Sequence, residues 1–221
     1  MNSVFERALG PAYADLHPAI QERYALTSTD NRRCVGHGQM RSIKRNRLAL
    51  PVLWAGTNRN LLFPETGTDV PFQVRTVPFD ENGVESVAYI RWFDVGPGRR
   101  FDAYMQYDEE RDCIVDVLGT YRTLHTELRL TATSTGALHI ETGDQWFVYG
   151  HRSIAIPKPL RADVNVTERY DDDRDRFEIA VAISNPLVGF VFGYDGWFTV
   201  EYEESPGLRS EDAPANVGDL R

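Results

Sequence analysis

Lysine is almost missing from this chain: of its 24 basic residues, Lys44 and Lys158 are the only lysines and the rest are arginine. A GC-rich genome and a salt-rich cytosol each favour that bias, and neither bears on activity. Cysteine is scarce as well. Cys34 and Cys113 are too few for a disulfide framework, and each sits in a strand-like run, so both are expected as buried free thiols. No apolar run approaches the roughly 18 residues of a membrane span. The first residues, MNSVFERALGPAYADLHPA, lack the apolar segment behind a basic start that a signal peptide needs. A soluble, cytoplasmic protein is the expectation. Positive charge is also in deficit: 33 acidic residues give a net charge of −9, which argues against nucleic acid and anionic membrane as partners.

The usual chemical motifs are missing too. There is no GxSxG nucleophile elbow, no P-loop and no GxGxxG before a helix. Asp171 to Asp175 lacks the glycine and closing glutamate of a calcium loop. His17, His37 and His151 have no ligand-like spacing. No metal and no cofactor are expected.

What the chain does contain is a core and a rhythm. Hydrophobic residues make up 42% of it, enough for one domain over residues 1–204, with a polar, frayed tail over 205–221. Segments 4–9 and 18–26 read as short helices, interrupted by Gly10-Pro11 and His17-Pro18. Residues 33–45 read as a strand, and 48–55 as a short apolar helix or turn. From Val70 the hydrophobic period becomes two. It marks strands over 70–79, 85–95, 100–108, 113–119, 123–131, 137–142, 146–149, 161–170, 176–184 and 187–203, the last bent at Gly193 or Gly196. Asn82-Gly83 is a strong hairpin signal. About nine or ten antiparallel strands joined by short turns make a meander, and a meander this long curls to hide its edges. The expected fold is mainly β: a curved or barrel-like antiparallel sheet with short N-terminal helices over one opening. A two-sheet sandwich is the alternative.

Strand alternation locates candidate site residues. In the hairpin about Ser134–Gly136, a symmetric register sets Arg129 opposite Glu141 and His139 opposite Thr131. His125 then lies roughly 20 Å further along, too far to share a metal with His139. In 161–170 one face carries Ala162, Val164, Val166, Glu168 and Tyr170, so Glu168 is an inward carboxylate. In 85–95 the inward set Val87, Tyr89, Arg91, Phe93 includes an arginine. A buried charge needs a partner, and an Arg91–Glu168 pair is the natural proposal. It reads either as a structural bridge or as the polar end of a ligand cavity. His37 and Arg41, on one face of the first strand, either join that cluster or face water. The aromatic run 189–198, apolar on both faces, reads as the central wall of the core, with Tyr194 pointing into a cavity as the alternative.

Several ordered segments resemble one family. They are VFERALGPAYADLHPAIQERYAL, GHGQM with Arg41, IRWF, Ile156-Pro157-Lys158-Pro159-Leu160, VTERY with Glu168, and NPLVGFVFGYDGW. Over roughly residues 3–203 the chain is similar to the uncharacterised DUF4166 domains, typified by the C-terminal part of the YndJ-like proteins. The resemblance implies family positions at Gly38, Arg91, Phe93, Pro157, Leu160, Glu168, Pro186, Gly189, Tyr194 and Gly196. It implies no activity; such domains are often fused to other modules, including dehydrogenase-like ones.

Three functions fit. The first is a non-catalytic binder of a lipid-like or other small apolar ligand, with Arg91, Glu168, Tyr194, His37 and Arg41 as candidate binding residues. The second is an interaction module for separately encoded enzymes, which predicts an exposed apolar patch or an open strand edge, and no internal cavity. The third is an enzyme using Glu168 as general acid or base. The sequence leans away from catalysis and leaves the oligomeric state open.

Overall fold

The computed structural model describes residues 2–205, 207–209 and 212. Two short helices, α1 (Val4–Leu9) and α2 (Pro18–Tyr24), precede β1 (Arg32–Arg45) and α3 (Leu50–Thr57). Then follow β2 (Gly67–Glu81), β3 (Val84–Phe93), β4 (Arg99–Asp108), β5 (Cys113–Leu118), β6 (Leu124–Ala132), β7 (Leu138–Tyr149), β8 (Arg152–Ala155), β9 (Asp163–Asp171), β10 (Arg176–Asn185) and β11 (Gly189–Glu204). Asn82 and Gly83 both have positive φ, 57° and 87°, as the tight turn between β2 and β3 requires.

Each strand except β8 pairs antiparallel with the next in the ring, β7 with β9 across β8, and β11 returns to β1. Because β6 pairs with β7 and β7 with β9, ten strands close into a barrel, and β8 lies outside on the edge of β7. Closure satisfies the ladder groups that an open sheet of this length leaves unpaired. The closing seam is tight. A Cβ on Gly38 would sit 1.9 Å from the Trp197 carbonyl, and one on Gly196 would sit 2.2 Å from that of Gln39, so only glycine lets β1 and β11 approach there.

Alternation sorts the side chains as the pattern predicts. Val87, Tyr89 and Phe93 enter the main core, whereas Ala88 and Ile90 join Tyr104 and Val117 in a smaller cluster outside the barrel wall. Cys34 and Cys113 are buried free thiols. Arg129 faces Glu141 and Thr131 faces His139, the expected register. A bulge at Arg41 lets β1 point both Met40 and Ile43 inward.

Two expectations need correction. The segments 137–142 and 146–149 are one strand, β7. The Gly143-Asp144 step that reads as a break is a bulge within it, because Thr126 pairs with Gln145 while Leu128 pairs with Thr142. The strand β8 was not read at all; it is four exposed residues with no buried face to impose a period. The last strand slips register by one residue at Val191, ahead of its two glycines. The tail expected to fray lies largely outside the described residues, but Asp212 is fully buried against the outer wall, 3.1 Å from Arg75.

The N-terminal segment closes one end of the barrel. Its short first helix is started by a capping box between Ser3 and Glu6. The His17 N–H donates to the Gly136 carbonyl at 2.8 Å, and its ring stacks on Tyr170 at 5.0 Å. At the opposite end the loops around residues 46–62, 147–162 and 185–191 frame a mouth.

Candidate functional site

The barrel encloses a cavity of about 530 Å³, within the range of small-molecule sites. Its wall is mostly aliphatic and aromatic, with Leu128, Ile140, Val166 and Val181 among its residues. It reaches the surface between Leu48, Val52, Leu160 and Leu187.

One ion pair and a second pair of ionisable groups that do not bond each other interrupt that apolar lining. The first closes the inner end. Arg23 projects from α2 and donates from Nη1 to Glu168 Oε1 at 2.6 Å, with the two side chains only 2% and 3% exposed. The Arg23 guanidinium also lies over the Phe198 and Tyr24 rings, 5.0 and 4.9 Å from their centroids. Desolvation is the largest single influence and works against its charge, but Glu168, joined by Tyr24, Tyr89 and Cys34, outweighs it and keeps the guanidinium protonated.

The second pair lies on the wall, where Arg91 on β3 and Asp116 on β5 both face the cavity. The Arg91 guanidinium lies 4.7 Å over the Phe101 ring and 5.5 Å from Tyr89. Among the described residues, neither its Nη1 nor Asp116 Oδ1 has a hydrogen-bond partner. Burial pushes the Asp116 carboxyl up to about 7, with Arg91 as the charge that opposes the rise. Tyr194 is buried on the same wall, and its hydroxyl pKa is raised by burial while Arg91 pulls it down.

Of the five candidate binding residues, the fold brings Arg91, Glu168 and Tyr194 to one cavity. The proposed Arg91–Glu168 pair is corrected. Strands β3 and β9 sit opposite each other in the ring, and the helix that plugs the barrel delivers Arg23 to Glu168 first. His37 and Arg41 stay outside. His37 is exposed beside Gln73, and Arg41 bonds Asp195 at 3.1 Å and Glu178 at 3.3 Å on the outer face.

Arg23 and Asp116 escaped the sequence reading, yet both carried a signal. Arg23 lies three residues after Ile20 on the buried side of α2. Asp116 stands between Ile114 and Leu118 on the inward face of β5, the same anomaly that marked Glu168. Among the described residues no cluster of three or more His, Cys, Asp or Glu is placed to hold a metal, and no helix is long and apolar enough to cross a membrane.

Residues 16–198 match the family described as "Domain of unknown function (DUF4166)". The chain is also similar to a protein of Bacillus subtilis (strain 168) named "Uncharacterized protein YndH". The two are 32% identical over 210 residues, which cover 93% of this chain and 100% of that protein. No solved structure matches.

Proposed function

The chain belongs to the DUF4166 family, a domain of unknown function, and from that premise we propose that its barrel is a non-catalytic binder of one lipid-like apolar molecule with an anionic head group. The observation that carries this reading is Arg91: a cation facing an apolar cavity, with a buried N–H that meets no acceptor among the described residues. Burying such a donor unpaired is costly. A ligand carboxylate would accept from it in a charge-assisted bond, and the aliphatic walls would take the chain. Asp116 tunes the site. When protonated it leaves Arg91 as a net positive centre; when ionised it competes for Arg91 and repels an acid. Glu168 is engaged by Arg23, so its role here is structural and the acid/base reading loses its support. The cavity likewise weighs against an interaction module with a filled interior.

The test is a fluorescence titration with a single-chain fluorescent fatty acid and with its methyl ester. The acid binds saturably to the wild type and more tightly than the ester. Arg91→Met weakens the acid about tenfold or more, the worth of one hydrogen bond to a charged group, and leaves the ester nearly unchanged. Equal affinity for acid and ester, or no saturable binding of either, would overturn the proposal.

A further inference from the structure

The surface around the mouth has a composition unlike the rest of the chain. Three segments frame it: residues 46–62 with α3, residues 147–161 with β8, and residues 185–191. Among the described residues, ten of the twelve exposed large hydrophobics fall in these segments, including Leu48 (74% exposed), Leu160 (65%), Leu187 (67%) and Trp54 (57%). The segments are held side by side. Asn46 Nδ2 donates to the Val188 carbonyl at 3.3 Å, and Asn185 Nδ2 donates to the Pro159 and Arg161 carbonyls at 3.0 and 2.7 Å. Six of the ten, Leu48, Val52, Phe147, Leu160, Leu187 and Val188, also border the cavity, an exposed apolar set of the kind a soluble surface does not carry without use.

Charge is equally one-sided. In a chain with 33 acidic residues, these segments hold Arg47, Arg59, Arg152, Lys158 and Arg161 and not one Asp or Glu. The opposite end is acidic, with Glu109, Glu110 and Asp112 in one turn and Asp172, Asp173 and Asp175 in another. The net charge of −9 conceals a dipolar molecule. It argues against an anionic surface for the molecule as a whole, and not for this face.

We infer that the mouth docks on an anionic lipid bilayer. Leu48, Val52, Leu160 and Leu187 would enter the acyl boundary, Trp54 would anchor at the headgroup level, and Arg47, Arg59, Arg152 and Lys158 would pair with lipid phosphates, Arg161 being held by Asp144. A protein groove lined by acids is the competing occupant. The bilayer is favoured because exposed apolar side chains that border the cavity stand in segments bearing cations and no acids, which matches acyl chains beneath anionic phosphates. Docking in this orientation would set the cavity entrance against the lipid. Vesicle binding needs no cavity ligand, so it stands or falls separately from the proposed function.

The full-length protein is sedimented with vesicles of phosphatidylcholine alone or mixed equally with phosphatidylglycerol. It pellets with the mixed vesicles at low ionic strength, and raising the salt to about 0.5 M, where surface charges are screened, releases much of it. The reversal R152E/K158E weakens binding about tenfold or more. The variant L160S/L187S weakens it as well. R129E/R174E, which changes net charge by the same amount away from the mouth, leaves binding within about twofold. No preference for mixed over neutral vesicles would overturn the inference. So would an equal loss in R129E/R174E, or a dimer in gel filtration that L160S/L187S disperses.

Discussion

Glu168→Gln is expected to cost about 3–5 kcal/mol of stability, because it leaves the buried Arg23 guanidinium without its counter-charge. For a domain of this size that is a fall in Tm on the order of 10 °C. Arg23→Met has the reverse defect, an unpaired buried carboxylate, and a loss of similar size. The pair itself is a different matter. Two charges withdrawn from water surrender most of their mutual attraction to desolvation, so a matched apolar pair serves nearly as well. The double variant R23M/E168L is therefore expected to regain most of what either single variant loses, since Arg23 sits against Tyr24, Phe177 and Phe198 and Glu168 is buried beside it. Urea denaturation of the four proteins closes the cycle. Single losses below about 1 kcal/mol, or a double variant as unstable as the sum of the singles, would show that the pair does not fasten the helical plug to the barrel.

The second large effect concerns Asp116. Its ordinary carboxyl value is 3.8, and in the fold it rises to about 7, first through burial and with Arg91 opposing. Between those values the folded protein holds a proton that the unfolded chain has released, so stability falls as pH climbs from about 4 to about 7 and is level above that. The penalty at pH 8 has an upper bound of about 4 kcal/mol. Asp116→Asn keeps the shape and removes the charge. It is expected to raise stability at pH 8, by an amount that shrinks towards zero near pH 4. It also removes the competitor for Arg91, so acid binding becomes tighter at pH 8 and loses its dependence on pH between 6 and 8. A stability difference that does not change with pH would mean that Asp116 is ionised throughout and already paired.

The parts of the fold that were legible in the sequence are the local ones. Asn82-Gly83, the two-residue period and the short turns give the meander, because each depends on neighbours in the chain. Which inward residue meets which depends on ring closure and on the plug. Glu168 and Arg91 were correctly read as inward, and their pairing failed because a residue 145 positions away in the sequence, Arg23, reaches Glu168 from a helix. Asp116 was legible by the same alternation test and was passed over. His37 and Arg41 share a face, as the period requires, but it is the outer one: Gly36, Gly38 and Met40 turn inward instead, and their small or flexible side chains leave little hydrophobic contrast to fix the direction. The basic character of the rim is spread over distant parts of the sequence, where a net charge averages it away.

A photoactivatable single-chain fatty acid, cross-linked to the purified protein and mapped by peptide mass spectrometry, addresses the central claim most directly. The account predicts labels on inward residues such as Leu128, Ile140 and Val166, competed away by unlabelled fatty acid and reduced in Arg91→Met. Labels confined to the outer wall or to the rim, or labelling that unlabelled acid does not displace, would contradict it.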